Sequence, residues 1–250
     1  MRVLIAGETW STHKIEIKGF AAYTTGSYSV GLTELVEALT AHGHDVVHIP
    51  NHEAVERFPW SVEEFRAYDV VVMSDIPADT IQLHPAVFER GERRPDRLRV
   101  LADYARAGGG VLMVGGYMSF SGIDGKARYQ ATPLAEVLPV RMLGVDDRIE
   151  TPEGVSPSVA VEHEILHGIP GEWPYFLGYN RVEAKPEATV LMEVDDDPFL
   201  VVGAAGEGRT AAFASDCSPH WGSPEFLAWS HYGAFWSRLV DWLGGGRGAD

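Results

Sequence analysis

The densest gathering of reactive side chains is Asp216-Cys217-Ser218-Pro219-His220-Trp221-Gly222-Ser223-Pro224-Glu225. Imidazole titrates near neutrality without help, and a carboxylate can orient it, so His220 with Asp216 is a candidate acid–base pair or half of a metal site. The plainer alternative has Asp216 capping the turn and His220 packing on Trp221. Cys217 and His220 could also pair as nucleophile and base, although a lone cysteine is more often a small buried hydrophobe. A second group is Gly115-Gly116-Tyr117-Met118-Ser119, with Ser121 beyond it. Its glycines permit a sharp turn. Tyr117, a phenol with an ordinary pKa of about 10, is a poor acyl-transfer nucleophile but a good hydrogen-bond donor and stacking surface; a buried Tyr in a glycine-rich turn is the simpler account. Glu8 and Trp10 near the amino terminus and Asp75 further on complete the set.

Two chemistries suit these residues. Carboxylates beside aromatic faces fit a sugar or other polyol, whose hydroxyls bond the acids and whose C–H faces stack on the rings. Carboxylates with histidine also fit a divalent metal, most often Zn²⁺. His163-Glu164-Ile165-Leu166-His167 has the order of a zincin motif, but Pro157 and Gly168-Ile169-Pro170 bracket it too tightly for the helix such a site needs. No metal ligand is assigned, and the cofactor is unknown.

The elements that must hold these groups alternate. Val3–Ala6, Asp45–Ile49, Val70–Met73 and Val111–Val114 are short apolar runs that read as buried parallel strands. Val30–His42, Val62–Ala67 and Asp96–Ala107 carry helical spacing, with Ser61 and Glu64 as a capping box and glycines as stops. Strand–helix alternation with short connections implies a parallel sheet with right-handed crossovers. No Gly-x-Gly-x-x-Gly follows the first strand. Gly7-Glu8-Thr9-Trp10 opens a long polar and aromatic loop instead, through His13, Lys18, Tyr23 and Tyr28. Such a loop needs a purpose, either lining a site or building an interface. Thr132–Leu138 reads as a short helix, Arg141 to about Val202 as an antiparallel excursion, Thr210–Ser215 as a strand and Phe226–Leu243 as a final helix. Residues 1–243 form one domain and 244–250 a flexible tail. In this arrangement Glu8, Asp75, Tyr117, Asp216 and His220 share the carboxyl-terminal rim of the sheet, where open α/β sheets hold ligands; Asn51 and His52 reach the same edge.

Gly110-Val111-Leu112-Met113-Val114-Gly115-Gly116-Tyr117 resembles the strand and turn that carry the nucleophile in class I glutamine amidotransferases, whose motif is Gly-x-Cys-x-Gly. His167-Gly168-Ile169-Pro170 and the run from Gly208-Arg209-Thr210 to Trp221 resemble ThuA-like proteins. The resemblance spans nearly the whole chain. It implies a flavodoxin-like three-layer α/β sandwich with a mostly parallel central sheet. It also implies a triad whose cysteine is replaced here by Tyr117 and whose His-x-Glu pair is matched only loosely by His220 and Glu225. The expected protein is amidotransferase-like, without glutaminase activity, and binds or processes a small polar, sugar-derived ligand. Glu8, Trp10, Asp75, Tyr117, Ser119 and Trp221 would line the site, with His220 and Asp216 as catalytic groups. Two alternatives stay open: a metal-assisted hydrolase or isomerase using His220 and Asp216, and an oligomeric scaffold or regulatory subunit built on its tryptophans and the Trp10–Tyr28 loop.

Bulk properties narrow the partners. Forty-five per cent hydrophobic residues suffice for a core without disulfides. A net charge of −16 disfavours phosphate backbones and anionic membranes, so neither nucleic acid nor membrane is expected. A single cysteine suits a reducing, cytoplasmic setting. The amino-terminal apolar run is too short for a signal peptide, and the expected partners are a small-molecule ligand and further copies of the chain in a homo-oligomer.

Overall fold

The computed structural model describes residues 1–245. The first apolar run forms β1 (Arg2–Gly7), followed by two long paired strands, β2 (Thr9–Lys18) and β3 (Ala21–Val30). Next come α1 (Thr33–Ala41), β4 (Asp45–Ile49), α2 (Asn51–Arg57), α3 (Val62–Phe65), β5 (Val70–Ser74), α4 (Ala78–Gln82), α5 (Pro85–Phe88), α6 (Arg97–Arg106) and β6 (Gly110–Val114). The second half contributes β7 (Val140–Met142), β8 (Arg148–Val155), β9 (Ser158–Val159), β10 (Phe176–Asn180), β11 (Val182–Ala184), β12 (Thr189–Val194), β13 (Asp197–Ala205) and β14 (Gly208–Phe213), then α7 (Pro224–Leu227) and α8 (Tyr232–Gly244).

Eight strands make the central sheet in the order β4-β1-β5-β6-β14-β13-β12-β9. The first five run parallel; β13, β12 and β9 extend the sheet antiparallel. Parallel strands covered on both faces must be apolar on both, and β1 is: Val3 and Ile5 enter the core beneath α1 and α8, while Leu4 and Ala6 enter the core beneath α2, α3, α4 and α6. The result is the expected flavodoxin-like three-layer sandwich. Helix caps are seen at two starts, although Glu64 Oε2 accepts from Trp60 N rather than from Ser61 N as a full capping box would. Ser61 Oγ accepts from Glu64 N at the start of α3, and Asp96 Oδ1 accepts from Leu98 N at the start of α6.

Four details correct the sequence reading. The segment from Thr9 to Val30 is a ten-pair antiparallel hairpin, not a loop, turning at Gly19-Phe20. Gly19, with φ +59, takes the first central position that a type II′ hairpin turn requires. Thr132–Leu138 holds a 3-10 turn at Pro133–Glu136 in place of an α-helix. The carboxyl-terminal helix is two helices, α7 and α8. Both send aromatic side chains, Phe226, Phe235 and Trp236, around Phe213, so one apolar pattern runs through the break. Gly244 belongs to α8 rather than to a tail, and positions 246–250 of the expected tail lie outside the described residues. No helix among the described residues is long and apolar enough to cross a membrane.

Candidate functional site

The carboxyl ends of β1, β5, β6 and β14 meet at one rim, and the residues just beyond them do not relax into ordinary backbone. Glu8 has φ +53, Asp75 φ +42 and Gly116 φ +145. A side chain in the left-handed region costs about 1–3 kcal/mol unless its surroundings hold it, and such strain gathers at functional sites. Close packing holds it here. A Cβ on Gly7 would lie 1.8 Å from Ser74 O, and one on Gly116 would lie 2.9 Å from Asp75 Oδ1.

The lower layer of the site is a buried acid cluster. Glu8 and Asp216 are both fully buried. Ser74 Oγ donates to Glu8 Oε2 at 2.5 Å. Ser218 Oγ lies 2.8 Å from Glu8 Oε1 and 2.9 Å from Asp216 Oδ1, and Ser218 N donates to that same Asp216 oxygen at 3.0 Å. A hydroxyl has one proton, so Ser218 can donate to only one of the two carboxylates. The other must bring its own proton, and the pair therefore holds one between them. The energetics agree. Burial, then the charge of Asp75, pushes Glu8 up to about 7 against the pull of its serine hydrogen bonds. Burial, then Glu8 and Asp75, raises Asp216 well above the usual carboxylate range. Asp216 has the Ser218 amide on one oxygen and faces His220 with the other, whereas Glu8 has only hydroxyls. Both carboxyls are thus biased toward the protonated form, and Ser218 links them, donating to one and accepting from whichever carries the proton. Asp75 adjoins the cluster, raised by burial and restrained by the Met118 N–H, which it accepts at 2.6 Å.

The upper layer is aromatic. His220 stacks on Trp10 with centroids 5.4 Å apart and on Tyr117 with centroids 5.5 Å apart. Tyr117 OH donates to Glu150 Oε1 at 2.8 Å, and Trp221 Nε1 donates to Glu150 Oε2 at 3.1 Å. Arg148 lies over the Tyr117 ring at 4.7 Å. Tyr117, Glu150, Pro152, Leu177, His220 and Trp221 enclose a cleft of about 360 Å³. Beyond Leu177 and His220 the surface opens into a shallower depression lined by Pro219, Pro224 and Leu227. His220 joins the layers: it is 43% exposed, and its Nδ1 lies 3.7 Å from Asp216 Oδ2, a buried oxygen with no hydrogen-bond partner. A larger cavity of about 820 Å³, by His163, His167 and Arg238, shares no lining residue with this cleft.

The structure therefore brings Glu8, Asp75 and Asp216 together, and sets Trp10, Tyr117, His220 and Trp221 above them. Ser119 does not line the cleft; it is buried, and its Oγ accepts from Asp75 N. The sharp turn is present, but its positive φ falls on Gly116 rather than Tyr117, and a 3-10 turn at Ile123–Gly125 follows it in place of an α-helix. Asp216, not Glu225, faces His220. Asn51 binds Thr9 O and Asp75 O, while His52 meets Tyr28 edge-on. Cys217 is buried, its thiol pushed up by burial and then by Glu8 and Asp216. The zincin-like stretch holds only a 3-10 turn, Glu164–Leu166, capped by His163, whose Nδ1 accepts from Ile165 N, as the bracketing prolines implied.

Several residues of the site carried no signal in the sequence. Asn180, on β10, accepts from Gly116 N at 2.9 Å and donates to Gly116 O at 3.2 Å and to Asp147 at 2.8 Å. Asp147 in turn accepts from the backbone of Ser121 and Gly122. The antiparallel excursion thus pins the turn that presents Tyr117, and Glu150 comes from the same region. Among the described residues, Glu8, Asp216 and Cys217 have donor atoms that converge closely enough, within 4.8 Å, to hold a cation, but the serine hydroxyls already engage three of their four carboxylate oxygens.

A doubly wound sheet with a glycine turn after its fourth strand and an Asp–His loop after its fifth defines a class I glutamine amidotransferase-like protein. The model of the family described as "Putative glutamine amidotransferase" matches residues 2–245, and the chain belongs to that family. It is 42% identical to the cytoplasmic protein STM3548 of Salmonella typhimurium, with a TM-score of 0.94, covering 97% of this chain and 99% of that one. It is 46% identical to the cytoplasmic protein STM1381 of Salmonella typhimurium LT2, with the same TM-score and coverage. A ThuA-like protein of Parabacteroides merdae, 11% identical with a TM-score of 0.56 over 98% of this chain and 90% of that one, shares the fold. No curated protein sequence matches the chain.

Proposed function

We propose that this protein binds a small polyhydroxylated ligand, a sugar or sugar acid, in the cleft between His220, Tyr117, Trp221 and Glu150, and that the His220–Asp216 pair exchanges a proton with it. The observation that carries this reading is the junction at His220. A ring stacked between aromatic neighbours, open to the cleft, faces a buried carboxylate oxygen that nothing else satisfies. Buried polar atoms without partners are rare and mark sites of function or strain. Tyr117 and Trp221 offer faces for C–H stacking, and the outward lone pairs of Glu150 suit hydroxyl donors.

Glutamine hydrolysis is not its activity. Tyr117 stands where the thiol belongs, and the Met118 amide, which would help hold an oxyanion, is already given to Asp75. Cys217, buried and held as a thiol, cannot substitute. The two Salmonella relatives are named cytoplasmic proteins, and we place this chain in the same compartment.

A thermal-shift panel of sugars, sugar acids and polyols tests the reading, with ammonia release from glutamine measured in parallel. A stabilising ligand whose effect is lost in His220→Ala and weakened in Tyr117→Phe is the expected result. If no compound stabilises the protein, or if ammonia appears and depends on Cys217, the reading is wrong.

A further inference from the structure

We infer that Glu8, Asp216 and Cys217 hold a divalent transition-metal ion, Zn²⁺ by their chemistry, behind the His220 cleft. Their donor atoms come from two loops, one after β1 and one after β14. They lie within 4.8 Å of one another, and all three residues are fully buried. Around tetrahedral zinc, with Zn–S about 2.3 Å and Zn–O about 2.1 Å, such atoms stand roughly 3.4–3.6 Å apart. A closing of about 1.4 Å or less therefore completes the contact. Charge asks for a cation here. Among the described residues, the only ion-pair partner of Glu8, Asp75 and Asp216 is the half-exposed His220, 3.7 Å from Asp216. Buried carboxylates either give up their charge, pair it or coordinate a metal. Asp216 Oδ2 is buried and accepts no hydrogen bond, which a buried oxygen ordinarily does. Space is kept as well. A Cβ on Gly31 would lie 2.9 Å from Glu8 Oε1 and 3.0 Å from Ser218 Oγ, so glycine leaves the flank of the cluster clear.

The serine hydroxyls do not bar the ion. A carboxylate oxygen has two acceptor positions, so one that takes a serine proton keeps a lone pair for a metal. Groups that hydrogen-bond the ligating carboxylates are the usual outer support of a metal centre, and Ser74 and Ser218 stand in that place. The donor set selects the ion. Mg²⁺ and Ca²⁺ take oxygen ligands, whereas a thiolate beside two carboxylates suits zinc. In the metal-free chain protons take the cation's place, and loading releases them. The ion ties the loop after β1 to the loop after β14 and, through Asp216, fixes the charge behind His220. It is independent of the ligand reading, since the chain would load metal with or without a sugar in the cleft.

Cobalt tests it, because Co²⁺ takes the place of zinc and a thiolate ligand gives it a charge-transfer band in the near ultraviolet. The chain has one cysteine, so such a band reports Cys217 alone. The full chain, freed of metal by chelation, is titrated with Co²⁺ in its native state. It is also refolded from urea with Co²⁺ present, so that burial cannot hide the centre. One cobalt per chain with the band, displaced by Zn²⁺, is the expected result. Cys217→Ser should lose the band. Glu8→Gln, which keeps the thiol, should bind cobalt more weakly by about tenfold or more, since even a change outside the ligands costs that much. Absence of the band in both preparations overturns the inference, even where cobalt binds at exposed histidines. A Glu8→Gln protein that holds cobalt as tightly as the wild type overturns it too, and that titration decides should Cys217→Ser misfold.

Discussion

Replacing Glu8 by glutamine isolates the shared proton. Glutamine fits the same hydrogen bonds: its amide N–H can donate to Ser218 Oγ as the protonated acid does, and its carbonyl can accept from Ser74 Oγ. It also leaves the left-handed backbone at this position unrelieved, so the change is in protonation alone. The folded-state value of about 7 lies above the ordinary 4.5. Folding therefore takes up a proton between these values. The stability that Glu8 contributes is intact below about pH 4.5 and is lost as pH rises through about 7. The full difference corresponds to about 3 kcal/mol. The glutamine variant never ionises at this position. Thermal unfolding should find it close to the wild type at pH 5 and more stable at pH 8 by up to about 3 kcal/mol, or roughly 6–12 °C for a chain of this size. Only the difference between the two proteins is interpreted, because other acids and histidines titrate in both. Parallel stability–pH curves, or a variant less stable at pH 8, would refute the raised value at Glu8.

Asn180→Ala should cost about 3 kcal/mol in urea unfolding, since it strips both backbone groups of Gly116 and one oxygen of Asp147 of a buried partner; a loss below about 0.5 kcal/mol would show that water replaces the amide. Cys217 should react with a thiol reagent at neutral pH only on unfolding, because burial both shields it and holds it as a thiol; rapid modification of the native protein would count against the buried cluster.

The parallel half of the fold was legible because doubly buried strands announce themselves as short apolar runs closed by glycine or a polar residue, as Val70–Met73 does before Ser74 and Asp75. The rim followed from the same runs: Glu8, Asp75, Tyr117 and Asp216 each stand just past a strand. The hairpin is hard to read from sequence although Lys14-Ile15-Glu16-Ile17-Lys18 alternates with strand period, because its apolar residues lack the core that strand patterns normally imply. Glu150, Asp147 and Asn180 were not legible at all. Nothing local distinguishes them, and their roles come from β8 and β10 folding back over a turn formed some 30 to 60 positions earlier. Ser218 is silent in the sequence for a similar reason. A serine between two carboxylates is recognisable only once Glu8 is beside it.

The bond from Glu8 to Ser218 spans 210 positions of sequence. Loop closure on that scale is slow and comes late, because nearly all of the intervening chain must be ordered before the contact repays the lost entropy. The acid cluster should therefore be among the last parts of the molecule to assemble in refolding. Trp10, stacked on His220 across the same interval, gives that step an intrinsic fluorescent reporter. A folding intermediate of this protein would possess its parallel sheet before it possessed its site.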